Sequence, residues 1–143
     1  MMYRKTIEVA CTPAEAFAYI SDFSRVEEWD PGVVESRALD AARVDVGSRF
    51  QVVALFRGKR QRFEYVVTEL DEGRRITLLG EGEKARSRDE IRVDSVGGKT
   101  QVSYVADIQL KGVFRAAEPF LRGMFRKMGD AALEGLRQRL DAQ

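Results

Sequence analysis

The chain has 143 residues, 44% hydrophobic and 33% charged, with three Pro, one Cys and no His; a unit of this size buries roughly 70% of its unfolded surface and needs no disulfide or metal to hold a core. Lys and Arg number 24 against 23 Asp and Glu, a formal net charge of +1, so the global basic excess of a nucleic-acid or anionic-membrane binder is missing and only a local patch can supply one. The lone Cys11 excludes an internal disulfide, and without His neither a Cys/His zinc site within one subunit nor imidazole acid-base catalysis can be assembled.

From Tyr3 to Val9 the sequence alternates, Tyr3, Lys5, Ile7 and Val9 on one face and Arg4, Thr6 and Glu8 on the other, which predicts a first strand. Thr12-Pro13-Ala14-Glu15 then offers an N-cap hydroxyl, a proline at the first helical position and a glutamate that completes a capping box. It starts a short amphipathic helix through Ala16, Phe17 and Ile20. Ser24-Arg25-Val26-Glu27 reads as a second capping box, and Pro31 ends that helical turn by disfavouring helix at Asp30. Segments 33–39, 48–56, 62–70, 75–80, 87–93 and 100–110 are rich in β-branched and aromatic residues and predict six further strands. The turns at Val46-Gly47, Arg57-Gly58-Lys59, Asp71-Glu72-Gly73 and Gly97-Gly98 are mostly too short for parallel crossovers, so the expected sheet is an antiparallel meander. From Phe114 to Leu140 apolar residues recur at helical spacing, and Pro119 suits the first turn of one long helix beginning near Glu118 after an irregular turn.

A sheet of that size does not close tightly, yet it can curl around one long amphipathic helix and leave a space between them. No repeat, linker or composition shift divides the chain, so one domain over residues 1–143 is expected. Four stretches carry a family resemblance: Thr12 to Phe17 after the first strand, Ile20-Ser21-Asp22-Phe23 through Trp29-Asp30-Pro31-Gly32, Val67 to Asp71 before Arg74-Arg75-Ile76, and Glu118-Pro119-Phe120-Leu121 through Met128. In that order they resemble the START-like helix-grip (SRPBCC) superfamily and, within it, the polyketide cyclase/dehydrase-like branch. The resemblance implies an α+β helix-grip fold, a seven-stranded curved antiparallel sheet around a long C-terminal helix with two short helices between the first two strands. It also implies a hydrophobic cavity that in different relatives binds lipids, hormones or polyketides, or catalyses ring closure. Trp29 and Pro31 resemble the family's cavity-rim segment, and no catalytic motif of the family is matched.

Period two proposes which strand residues face the helix: Phe50, Val52, Ala54 and Phe56, then Phe63, Tyr65 and Val67, then Ile76 and Leu78, then Ile91 and Val93, then Val102, Tyr104, Ala106 and Ile108. The expected ligand-binding set is Trp29, Phe50, Val52, Phe63, Tyr65, Ile91 and Tyr104 from the first part of the chain and the sheet, with Phe120, Leu121, Met124 and Met128 from the helix. Continued parity turns Glu69 and Asp89 inward, where a carboxyl needs a partner or shifts toward its neutral form. The alternative is a β-bulge before Glu69, or an arginine partner for Asp89 at the cavity mouth. Candidates for catalysis are therefore Glu69, Asp89, Tyr65 and Tyr104, although a buried phenol more often serves as a core tyrosine with a protein partner for its hydroxyl.

Other signals carry less. Gly98-Lys99-Thr100 lacks the preceding glycine and following helix of a phosphate-binding loop. Arg57, Lys59, Arg60 and Arg62 make a basic hairpin without interleaved stacking aromatics, the pattern of a solvated turn rather than a nucleic-acid surface. No acidic calcium loop is present, and neither a metal nor a cofactor is expected. No apolar run approaches the ~18 residues of a membrane span, and the opening segment is not a signal sequence, so a cytoplasmic protein is expected. The leading functional expectation is binding of a small hydrophobic, lipid- or polyketide-like molecule between sheet and helix. The alternatives are a polyketide cyclase/dehydrase-type enzyme working through cavity Asp, Glu and Tyr, and a protein-interaction module.

Overall fold

Seven strands, β1 (Met2–Val9), β2 (Val33–Ala38), β3 (Arg49–Phe56), β4 (Lys59–Asp71), β5 (Arg75–Gly82), β6 (Ala85–Val96) and β7 (Lys99–Leu110), form one antiparallel sheet in the order β1-β7-β6-β5-β4-β3-β2. The computed structural model describes residues 1–143. The meander is complete from β2 to β7, and β1 joins the far edge with Met2 opposite Asp107 and Val9 opposite Thr100. Register shifts after Val33 in β2 and after Val67 in β4 mark bulges, which bend their strands and help curl the sheet.

Helix α1 (Pro13–Ile20) starts as its capping box requires: the Glu15 amide donates to Thr12 Oγ1 at 3.2 Å and the Thr12 amide to Glu15 Oε1 at 3.1 Å. The second expected capping box does not form. Asp22 caps a short 3₁₀ turn at Phe23–Arg25 by accepting from the Ser24 amide at 3.1 Å, and the Ser24 hydroxyl donates to the same Asp22 oxygen at 2.5 Å. The Glu27 amide donates instead to Ser36 Oγ at 3.0 Å, which fastens α2 (Val26–Trp29) to β2. A 3₁₀ segment at Gly112–Ala117 precedes the long helix α3 (Glu118–Asp141), with Pro119 in its first turn; proline is tolerated there because no amide partner is lost.

The core lies between the concave sheet face, α1 and the C-terminal half of α3. Ile20, Ile76, Leu78, Ile91, Val102, Leu136 and Leu140 are all fully buried in it, each large aliphatic side chain contributing about 1.5–3 kcal/mol by its removal from water. Gly135 permits the closest approach in this region, since a Cβ there would lie 2.0 Å from the Trp29 carbonyl oxygen. No helix is long and apolar enough to cross a membrane.

Candidate functional site

Toward its N-terminal half α3 lifts away from the sheet, and a cavity of about 580 Å³ opens between them, within the ~300–1,000 Å³ range of small-molecule sites. Alternation along the strands supplies the walls: Val52, Ala54 and Phe56 from β3, Phe63 and Tyr65 from β4, Ala85, Ser87 and Asp89 from β6, Tyr104, Ala106 and Ile108 from β7. Leu121, Phe125 and Met128 roof it from α3, and Phe23, Val26 and Trp29 close it from the first helical segment. Two aromatic rings lie flat across glycines of β5. A Cβ on Gly80 would sit 2.5 Å from Tyr65 and one on Gly82 2.7 Å from Phe63, the residues that face them across the ladder.

The inner end of this apolar space is polar. Asp89, 5% exposed, accepts hydrogen bonds from the Ser87 and Tyr104 hydroxyls. Burial pushes its carboxyl up, and the two hydroxyl donors pull the other way. Asp30 closes its own turn by accepting from the Gly32 amide at 2.8 Å. Burial raises that carboxyl from its ordinary 3.8 to about 6, the Gly32 amide opposing and the Asp89 charge assisting. Burial, followed by the Asp89 charge, also drives the Tyr65 and Tyr104 phenols well above their usual range. No lysine or arginine is among the groups acting on either carboxyl. The Trp29 ring meets Tyr104 edge-on at 6.4 Å, and its buried indole N–H makes no hydrogen bond. At the other end the mouth is aromatic and basic: Phe56 stacks on Phe125 at 5.4 Å, Lys84 stands 5.2 Å over the Phe114 ring, and Arg57 and Lys59 border the opening.

Residues 3–141 match the family described as polyketide cyclase/dehydrase and lipid transport. The chain belongs to that family. Among solved structures, this cyclase/dehydrase-family member is similar to TTHA0849 from Thermus thermophilus, with TM-score 0.84 and 19% identity over 99% of this chain and 98% of the other. It also resembles the Zhui aromatase/cyclase from a Streptomyces species, with TM-score 0.81 and 13% identity over 99% and 93%. A START superfamily protein from Mycobacterium smegmatis follows, with TM-score 0.73 and 22% identity over 99% and 94%. At these identities the likeness is one of fold. No curated protein matches the chain.

Of the residues expected in the family cavity, Trp29, Val52, Phe63, Tyr65, Tyr104, Leu121 and Met128 do line it, and Asp89 lies at its inner end. Phe50 and Ile91 do not: they face inward but belong to the closed core, where Phe50 packs against Phe23 at 6.2 Å between ring centres. Phe120 is 86% exposed, because the inward stripe of α3 runs through Leu121, Phe125 and Met128 and leaves Phe120 outside. Met124 flanks that stripe, half-buried and off the cavity wall. For Glu69 the inward reading fails and the β-bulge alternative holds. The bulge at Thr68 reverses its parity, so its carboxylate sits on the outer surface, 3.3 Å from the Arg75 guanidinium. Asp89 is held by hydroxyls rather than by an arginine. Asp30 and Ser87 were not singled out from sequence. For Asp30 the available signal was the Asp-Pro-Gly turn, which aims a carboxylate back at its own backbone; for the ring seats it was Gly80 and Gly82 inside a strand. No three acidic or thiol side chains converge as a metal site requires.

Proposed function

We propose that the cavity binds a small apolar molecule, lipid- or polyketide-like, whose one polar group is uncharged and lies at the inner end beside Trp29, Tyr104 and Asp89. The observation that carries this reading is the separation of chemistry along the cavity, an apolar shaft ending in two carboxyls with no cation acting on either. An anionic group pushed to that end would meet carboxyl groups without compensation, whereas a hydroxyl finds acceptors in Asp89 and Asp30, and a carbonyl finds a donor in either of them when it is protonated. Native mass spectrometry of freshly purified protein, with a denatured control, together with titration of the neutral fluorophore N-phenyl-1-naphthylamine, tests it. A co-purifying apolar mass or saturable probe binding, abolished in a folded Ala106→Phe variant, is the expected result; no saturable probe binding to the wild-type protein rejects it.

A second reading, cyclase/dehydrase-type catalysis, is favoured by Asp30, whose carboxyl at about 6 can exchange a proton near neutral pH beside the Asp89–Tyr104 pair. In it a cavity carboxylate removes a proton next to a ligand carbonyl while a neighbouring phenol or acid donates to the oxygen. Asp89→Asn then abolishes turnover of a poly-β-keto thioester while probe binding persists. A wild-type protein that binds such a compound unchanged leaves binding alone.

A further inference from the structure

Val113 and Phe120, 84% and 86% exposed, are the most solvent-exposed large apolar side chains of the protein. They stand just before and at the start of α3, each next in sequence to a residue that lines the cavity, Phe114 and Leu121. Phe114, 41% exposed, and Leu55, 38% exposed, continue the apolar rim. Packing within the chain does not account for this placement, since neither Val113 nor Phe120 belongs to the core or packs against it.

The same rim is basic. Arg57 and Lys59 at the β3–β4 hairpin and Lys84 in the β5–β6 turn border the mouth. The acidic neighbours are largely engaged: Glu81 with Arg86 and Lys111, and Glu118 with Arg122 at 3.5 Å. Glu83 beside Lys84 is the exception.

We propose that this rim docks on a bilayer surface bearing anionic headgroups, with Val113 and Phe120 entering the interface, Arg57, Lys59 and Lys84 facing the headgroups, and the cavity mouth turned toward the lipid. Apolar side chains that project singly beside cations suit a fluid interface, where binding combines buried apolar area with attraction to anionic lipid. A folded protein partner instead needs a contiguous complementary face. An apolar ligand that leaves the cavity through this mouth enters lipid without crossing water. The proposal rests on the ligand-binding reading for its purpose, but docking is measured without ligand, so the two fail separately.

Co-sedimentation with phosphatidylcholine vesicles, with and without phosphatidylglycerol, at low and high salt is the test. The wild-type protein is expected to partition onto the anionic vesicles at low salt and to lose that binding on added salt. Val113→Asp with Phe120→Asp, both at exposed positions, should abolish partitioning with an unchanged circular dichroism spectrum. Arg57→Gln with Lys59→Gln and Lys84→Gln should weaken it about a hundredfold, at about fivefold for each cation near the surface. Absence of wild-type partitioning, or partitioning untouched by both sets of substitutions, overturns the proposal. Equally tight binding to soluble polyglutamate that ignores Val113→Asp and Phe120→Asp also overturns it and assigns the rim to an acidic protein.

Discussion

Between Gly135 and Leu140, α3 lays Leu136 and Leu140 into the sheet and presses Gly135 against the Trp29 carbonyl. Between Glu118 and Met128 the same helix contributes no fully buried side chain, roofs a cavity with Leu121, Phe125 and Met128, and turns Phe120 to solvent. The helix is continuous across both halves, so the difference lies in what faces it. One half closes over aliphatic side chains from β1, β4, β5, β6 and β7 and from α1. The other meets a space bordered by rings, two of them seated on Gly80 and Gly82. Stability is thereby concentrated at one end of the helix, and the mouth end is held by fewer buried apolar groups, the condition under which local opening precedes global unfolding.

The sharpest way to break this division is to shorten equivalent leucines in the two halves. Leu136→Ala, in a site with no exposure, is expected to lower unfolding free energy by about 3–4 kcal/mol, the transfer term plus an uncollapsed void. Leu121→Ala enlarges a cavity that already exists, so it should cost under about 1 kcal/mol yet weaken N-phenyl-1-naphthylamine binding. Urea unfolding of both variants measures this, and equal losses would erase the distinction.

The inner carboxyls make a pH-dependent version of the same contrast. Burial holds Asp30 at about 6 against an ordinary 3.8, so the folded protein binds this proton more tightly than the unfolded chain does. Stability therefore declines as pH rises from about 4 to about 6 and this contribution is constant above, its full size reaching about 3 kcal/mol. Asp30→Asn keeps an oxygen for the Gly32 amide and removes the charge. Its expected stability gain is near zero below about pH 4, grows through the window and levels off above about pH 6. Urea midpoints for wild type and variant across that range should diverge with pH; parallel curves would mean that Asp30 titrates normally.

Most of the architecture was legible because it depends on local periodicity. Alternation located the strands, Thr12 to Glu15 located α1, and Pro119 marked the start of α3. The site was legible only where the period ran unbroken: Val52, Phe63, Tyr65, Asp89 and Tyr104 follow from parity. Glu69 did not, because one extra residue at Thr68 reverses every face beyond it, and a bulge leaves no periodic trace. Phe50 and Ile91 show a different limit. Parity tells inward from outward, but whether an inward residue meets packed core or cavity depends on the distance to α3, set by Gly135 and the Trp29 backbone far away in sequence. Asp30 escaped for the same reason, since its desolvation comes from elements that assemble around it.

The smallest expected effect probes the mouth half of α3 alone. Gly123 lies in the interior of the helix, and a Cβ built there meets nothing within 4 Å. Glycine is about 0.8–1.0 kcal/mol less favourable than alanine in a helix interior, mainly through the freedom it retains in the unfolded chain. Gly123→Ala is therefore expected to stabilise the protein by about 0.5–1 kcal/mol and to leave probe affinity unchanged, because the added methyl group borders neither the cavity nor the core. If the urea midpoint rises while probe release slows, the roof must bend for the ligand to leave, and Gly123 supplies part of that bend. If the midpoint falls instead, this half of α3 packs against something, and the contrast between its two ends is smaller than the buried leucines indicate.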